Sequence, residues 1–577
     1  MKTNHLAIGL LALSTSAAAQ TTLTDTNPKG LHDLFGKVLA AADQSGVGNE
    51  LFGATAAGGG LLTDFNPGPA FGFQDGDPEV GFGTPLEGTI LGADLYGFAY
   101  LANKNIGLFR TDGSAAGTEV LREFPQAGGP TYYYGYGFEG VALADSVVFN
   151  ARVTPSSWGM WATDGTTAGT QLLYNTPSLS WGFTRLGNDA LFFTYIDGWR
   201  LVRTDGTTSG TAVIHSFPLG TSLDVYSMAV VGDEVFFVAG DASIGEELWK
   251  SDGSVGGTSL VRDVLPGADS SEPEEFVCVG GALYFSAKSS SGGRFLWTSD
   301  GTPAGTTLVS AVPNGHTEGP RHLTAVGERL FFAQRTGSAK DRLYAYDHDT
   351  GIAVIAGEFD DSQYDDIRHV SAIGSRRIFF QGYEASSGGG ELWVSDGSLN
   401  SAMQVEDIIP GGWWSEPREM MLSNGRMFFT AYPVTPVNRA LLHRDVGATA
   451  QSLGVGCSAS GRLPFLTADD PVLGTTTTVR IDGAEPSMAV LLYFAPPSSP
   501  TALGAAGCFV NLDPGAISVL GSGQTDGNGD WESAPFWVPN NPALIGGQLT
   551  LQAVVGPTAT LPLGVDVSSA VLLTFGD

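Results

Sequence analysis

The chain has 577 residues, 42% of them apolar and only 15% charged, with 80 glycines and 31 prolines. That is too long for one ordinary domain, and glycine at this frequency outside low-complexity runs points to tight turns between short strands. Sixty acidic against 28 basic side chains give a formal charge of −32, which disfavours nucleic acid and anionic lipid as partners and otherwise marks a soluble, self-repelling surface.

The first segment, MKTNHLAIGLLALSTSAAAQ, reads as a secretory signal over residues 1–19. Lys2 and His5 make a short polar n-region, Leu6 to Leu13 an apolar stretch, and Ala17-Ala18-Ala19 a small-residue site with cleavage before Gln20. No later stretch reaches about 18 uninterrupted apolar residues. The mature chain is therefore expected to be exported, in the extracellular space or at the cell surface, without a membrane span.

From about Leu31 to Ser452 one phrase recurs. It reads LWKSDGSVGGTSLVRDVLPG from Leu248, with relatives at Leu108, Met160, Leu201, Leu296 and Leu392. A second phrase precedes it each time, as DLYGFAY from Asp94, SVVFNAR from Ser146, ALFFTY from Ala190 and EVFFVA from Glu234. It continues as ALYFSA from Ala282, RLFFAQ from Arg329, RIFFQG from Arg377 and RMFFTA from Arg426. A worn ninth copy follows Gly36, and RALLHRD from Arg439 closes the array. Four short alternating strands per unit of about 47 residues, punctuated by Gly-rich turns, predict a β-propeller blade. The fold class is thus all-β: a propeller of eight or nine four-stranded blades over 31–452, whose two ends can share one blade. An open solenoid would need polar capping units.

GEELWKSDGSVGGTSLVRDVLPG (Gly245 to Gly267) and GGELWVSDG (Gly389 to Gly397) resemble the ELWxxDGT-repeat family of secreted bacterial proteins. The resemblance covers roughly two-thirds of the chain and implies no catalytic residue.

Each D-G-T turn carries an aspartate (Asp112, Asp164, Asp205, Asp252, Asp300, Asp396). Asp accepts backbone N–H bonds, Gly takes positive φ and Thr adds a hydroxyl, so these read as turn devices rather than as metal or catalytic groups. Aromatic residues gather instead in the blade-to-blade connections and the second-to-third-strand loops, which share the opposite face. Tyr133, Tyr134, Trp158, Trp181, Tyr226, Trp413 and Trp414 are the candidate ligand-binding residues there, able to stack on sugar rings or pack on a protein, or else to fill wedges between blades.

From Gly454 the grammar changes. Alternating apolar runs bounded by Gly and Pro over residues 454–577 predict an antiparallel β-sandwich. The pattern from Cys457 through GCFVNLDPG and TDGNGDW resembles a C-terminal domain of secreted planctomycete-type proteins, which implies no activity. Cys457 and Cys508 are the candidate disulfide, worth about 3–4 kcal/mol, and Cys278 in EEFVCVGG is expected to be a buried small hydrophobe. TDGNGDWE places Asp526, Asn528 and Asp530 as the start of a calcium loop but offers Trp537 where a bidentate Glu is needed, so a plain turn is expected.

No zinc spacing, serine elbow or phosphate loop is present in the sequence. The expectation is a secreted, non-catalytic scaffold that binds an extracellular glycan or protein, with no metal or cofactor. The alternatives are a propeller hydrolase or lyase acting on extracellular polysaccharide and a purely structural envelope protein.

Overall fold

The computed structural model is described over residues 20–575, leaving out 24–27, 66–87, 126–137, 313–318, 360–366, 410–414, 434–438, 454–464, 503–508, 557–565 and shorter stretches. The predicted signal over 1–19 lies outside the described residues, as do Tyr133, Tyr134, Trp413, Trp414 and the candidate disulfide partners Cys457 and Cys508.

The predicted propeller is present, and its blade number resolves to nine among the described residues. Eight four-stranded antiparallel sheets follow one another in chain order: blade 1 (29–63), blade 2 (88–124), blade 3 (140–176), blade 4 (180–216), blade 5 (222–262), blade 6 (274–308), blade 7 (320–359) and blade 8 (367–406). Blade 9 takes three strands from 418–445 and its fourth from the other end of the chain. There Gln20–Leu23 pairs antiparallel with Ala440–Asp445, matching Gln20 with His443 and Thr21 with Leu442. The two ends therefore share a blade, which removes the open edge that each would otherwise present.

Nine apolar cores fill the nine spaces between consecutive blades. The last of them joins Val38, Ala42 and Phe52 of blade 1 to Phe428 and Leu441 of blade 9. The second strands explain why the repeat reads as a nearly continuous apolar run. In blade 4, Ala190 and Phe192 enter the core shared with blade 3, whereas Leu191 and Phe193 enter the one shared with blade 5. A strand buried on both faces has no polar side to show, and each such Phe contributes about 1.5–3 kcal/mol.

The D-G-T turns are the structural devices their sequence suggests. At Asp300 the carboxylate accepts from Thr302 N at 2.9 Å and Thr302 Oγ1 at 2.7 Å, while Gly301 sits at φ +82°. Ser299 Oγ and Thr306 Oγ1, 2.7 Å apart, pin the turn from below. The same bonds recur at Asp112, Asp164, Asp205 and Asp252.

The Glu of the E-L-W phrase does equally specific work. Glu247 is fully buried, and its carboxylate accepts from Val264 N (2.7 Å), Ser271 N (3.0 Å) and Ser271 Oγ (2.6 Å). It thereby fastens the connection from blade 5 to blade 6. Glu391 does the same through Ile408 N (3.0 Å) and Ser415 Oγ (2.7 Å), and Glu50 bonds Phe65 N at 2.8 Å.

Past blade 9, Thr449–Leu453, Asp566–Thr574, Gln548–Gly556, Ala489–Ala495 and Ser518–Gln524 form a five-stranded antiparallel sheet. It packs Val490, Leu492, Leu551 and Val571 against Leu466, Val479 and Ile481 of a smaller sheet, giving the predicted sandwich. Asp470 ties this module to blade 8: it accepts from Ser375 N at 3.2 Å, and its own N–H donates to Ser375 Oγ at 2.9 Å. In the candidate calcium loop, Asp526 N donates to Asp530 O (2.8 Å) and Asp530 N to Asp526 Oδ1 (3.0 Å), the bonding of a turn.

Candidate functional site

From blade 2 through blade 9 and on to blade 1, first strands touch first strands, so they are innermost and border the channel. Among the described residues this strand carries a bulge in seven blades, between Lys29 and His32, Trp181 and Thr184, Asp224 and Met228, Glu274 and Val277, Arg321 and Thr324, Arg368 and Ser371, and Arg418 and Met421. Extra residues lift the strand out of register and re-aim a side chain. In blades 1 and 4 the bulge holds Gly30 (φ 66°) and Gly182 (φ 65°), which take a left-handed backbone at no cost.

Blades 6, 7, 8 and 9 place Glu275 (φ 61°), His322 (φ 57°), His369 (φ 50°) and Glu419 (φ 51°) at that position. A left-handed residue with a side chain costs about 1–2 kcal/mol. Glu272 and Glu416, three residues before Glu275 and Glu419, are also left-handed. Six of the ten described non-glycine residues with positive φ therefore lie on, or just before, the first strands of these four blades. Strain concentrated in this way marks a place where side-chain chemistry is kept at the expense of stability.

The residue after each bulge position (Phe276, Leu323, Val370, Met420) packs into an inter-blade core, and the bulge residue itself runs along the channel wall. Glu275 Oε2 accepts from Leu323 N of blade 7 at 3.2 Å. Glu419 accepts from Gly30 N of blade 1 at 3.0 and 3.2 Å. Each carboxylate thus satisfies a backbone N–H of the next blade's inner strand.

Arginines surround this collar. Arg439, about nine-tenths buried, donates to Glu416 O and Glu416 Oε2 at 2.7 Å each and lies 4.4 Å over the Tyr432 ring. Arg418 donates to the same Glu416 carboxylate at 2.9 Å. Blade 6 repeats the arrangement: Arg294 donates to Glu272 O at 2.8 and 2.9 Å and meets Glu274 Oε1 at 3.0 Å. In blade 7, Arg321 pairs with the buried Asp341. Half-buried His369 is pushed down to about 3 by burial first, and then by Arg418, Arg439, His322 and Arg368, all positive when charged. Its imidazole is neutral over the working range.

Ser271 of the blade 5–6 connection bonds Glu247 at the start of a third strand, and its carbonyl accepts from Lys288 N at the end of a second strand. The bulges, near the N-terminal ends of the first strands, therefore lie toward the connection face, away from the D-G-T turns. On the turn face an open cavity of about 440 Å³ is lined by Gly187, Asn188, Asp189, Arg203, Asp233 and Asp252. Its Arg203 is held by Asp189 at 2.7 Å. Among the described residues, no group of three or more His, Cys, Asp or Glu side chains stands in metal-ligand geometry.

The described aromatic candidates are not brought together. Trp158 lies in the second hairpin of blade 3 under the Arg152 guanidinium, 4.4 Å away. Trp181 packs on the core between blades 4 and 5, edge-on to Trp199 at 5.5 Å, and so fills a wedge. Tyr226, 76% exposed, projects from the blade 5 bulge, where its N–H donates to Asp224 Oδ1 at 2.9 Å. Cys278, expected to be buried, is exposed instead. It sits on the innermost strand of blade 6, whose Val277 and Val279 pack into the core shared with blade 7 while the Cys278 side chain does not, and partial burial still raises its thiol pKa.

The collar was missed in the sequence because its members are about 50 residues apart. A signal existed in the duplicated phrase Ser271-Glu272-Pro273-Glu274-Glu275 and Ser415-Glu416-Pro417-Arg418-Glu419.

No family model matches the chain, and no curated protein matches it by sequence. Among solved structures it is similar to puromycin hydrolase (13% identity, TM-score 0.33), covering 62% of this chain and 59% of that one. It is also similar to oligogalacturonate lyase from Vibrio parahaemolyticus (14%, TM-score 0.31; 52% and 86%) and to a prolyl endopeptidase (8%, TM-score 0.36; 81% and 56%). The chain thus spans about three-fifths of the hydrolase's length. The expectation of a non-catalytic protein is corrected here: the solved structures that this chain resembles are enzymes by name, and that expectation is not carried forward.

Proposed function

We propose that this chain is an exported propeller enzyme, a hydrolase or lyase that acts on an extracellular polysaccharide at the channel wall of blades 6–9. The observation that carries this reading is the run of four strained, ionisable bulge residues, Glu275, His322, His369 and Glu419, on four successive blades. Glycine occupies the same position in blades 1 and 4, so the ring does not need a side chain there. Carboxylates and imidazoles gathered from separate blades are the groups that proton transfer requires.

A polymer suits a site beside the channel, since a chain can lie across a channel mouth without being enclosed. The apolar leader ending in Ala17-Ala18-Ala19 supports an extracellular substrate. The test is to incubate the purified protein with a panel of neutral and carboxylated polysaccharides and follow chain length by size-exclusion chromatography. Shortening of at least one polymer is the expected result, and no shortening of any would overturn the proposal.

A further inference from the structure

We infer that the hairpin tip of blade 4, Tyr195 to Trp199, is a subsite for uncharged sugar residues and holds a neutral polysaccharide across the channel mouth from the collar. Its link to catalysis rests on the enzymatic reading above; its binding of sugar does not.

The tip joins the second and third strands of blade 4, so it lies on the connection face, toward which the bulges also lie. Tyr195 and Trp199 are the last register partners of that hairpin, which sets their side chains next to each other. The Tyr195 ring stands at 88° to Trp199 with centroids 5.5 Å apart. Trp199 is held in turn by Trp181 of the inner strand, at 66° and 5.5 Å. Trp181 and Trp199 pack on the core between blades 4 and 5, whereas Tyr195 is outside that core and 46% exposed. The two indoles thus fill the wedge, and the phenol ring stands beyond it on a fixed backing. Leu219, 78% exposed, extends the apolar surface: a methyl group at Gly198 would lie 3.4 Å from its Cδ2.

Polar groups complete the tip. Asp197, exposed at its apex, keeps a side chain at φ 49°, where glycine would be at ease. Neither its carboxylate nor the Tyr195 hydroxyl makes a hydrogen bond or ion pair among the described residues. The connection does not need these groups. The stretches that join second to third strands in blades 6, 7 and 8 (289–293, 337–339 and 385–388) consist of Ser, Gly and Ala alone.

A sugar ring offers an apolar C–H face bordered by hydroxyls. A fixed aromatic surface takes the first, and a carboxylate and a phenol with no other partner take the second. Charge selects against acidic sugars: Asp197 and Asp241, exposed on neighbouring tips of a chain at −32, repel a carboxylated polymer. A protein partner needs about 800 Å² on each side. The apolar surface here ends at the neighbouring loops, which expose Thr154, Pro155 and Ser156 in blade 3 and Asp241, Ala242 and Ser243 in blade 5.

Position gives the subsite its use. In the ring of nine, blade 4 is four places from blade 8 and four from blade 9, so it stands across the mouth from the collar. A polymer held at blade 4 can lie over the channel toward Glu275, His322, His369 and Glu419.

The experiment runs the full chain at low temperature through native gels containing dextran, pullulan, mixed-linkage β-glucan or polygalacturonate and reads its retardation. The expected result is retardation by at least one of the three neutral polymers and none by polygalacturonate. Tyr195→Ala should weaken the retarding affinity by about fivefold or more. Asp197→Gly, which relieves the left-handed backbone and so leaves the fold at least as stable, should weaken it by about threefold or more. If the retarding polymer is also shortened, Tyr195→Ala should raise KM by the same factor while changing kcat less.

Retardation that both variants keep in full overturns the subsite. So does retardation by polygalacturonate as strong as by any neutral polymer, or no retardation by any of them. The comparison among polymers is made on the unmodified protein and does not depend on either variant folding. Binding through Tyr195 without shortening of any polymer keeps the subsite and overturns the enzymatic reading. Shortening that does not depend on Tyr195 does the reverse.

Discussion

The carboxylate of Glu419, in the last blade, accepts the backbone N–H of Gly30, in the first, through both oxygens at 3.0 and 3.2 Å. This bond crosses the seam where the ring closes, and it uses the same bulge position that Glu275 uses between blades 6 and 7. Glu419→Ala removes a charged acceptor and leaves a part-buried N–H unmet, a loss of about 1.5–3 kcal/mol. Chemical denaturation should show that loss with little change in the slope against denaturant.

The seam has a second fastening in the pairing of Gln20–Leu23 with Ala440–Asp445. A chain beginning at residue 24 leaves the latter strand as an open edge. Its melting temperature should fall below that of a chain beginning at residue 20, with aggregation on heating. Equal melting of the two would show that the fourth strand of blade 9 is dispensable.

At Asp300 one carboxylate oxygen accepts from both Thr302 N and Thr302 Oγ1. Asp300→Asn keeps an acceptor there, and Asp300→Ala does not. The first should be close to neutral and the second should cost about 1 kcal/mol. Both should leave any polysaccharide-shortening activity unchanged, because the turn lies on the face away from the collar.

Burial lifts the Glu391 carboxyl to about 6, against the pull of the Ser415 hydroxyl and the Ile408 N–H. Its folded value lies above its unfolded value of about 4.3, so the folded state binds the proton more tightly. The resulting stability is fully present below pH 4.3 and is lost as pH rises through about 6. Relative to Glu391→Gln, the unmodified protein should therefore lose about 1–2 kcal/mol across that window. Melting curves at intervals of pH would measure the difference.

The propeller was legible because its devices are local. Asp-Gly-Thr turns and Phe-Phe strands repeat at fixed spacing, and each is satisfied within one blade or between neighbours, as at Asp300 and at Phe192 and Phe193. The blade count was not legible, because Gln20–Leu23 carries no repeat phrase and joins blade 9 only through backbone pairing. The collar was hidden for a related reason. Glu275, His322, His369 and Glu419 share no residue type and no local motif; they share a backbone conformation, which only the folded strand displays. Trp181 was legible as a large apolar side chain but not as a wedge, since its partner Trp199 comes from the next hairpin.

The most direct test of the account compares chain shortening, of a polysaccharide that the unmodified protein shortens, by the unmodified protein, by His369→Asn and by Asp300→Asn. The account predicts that the first and third shorten the polymer at equal rates and that His369→Asn, folded by its melting curve, does not. Shortening by His369→Asn at the unmodified rate would contradict it and place the chemistry away from the blade 6–9 collar.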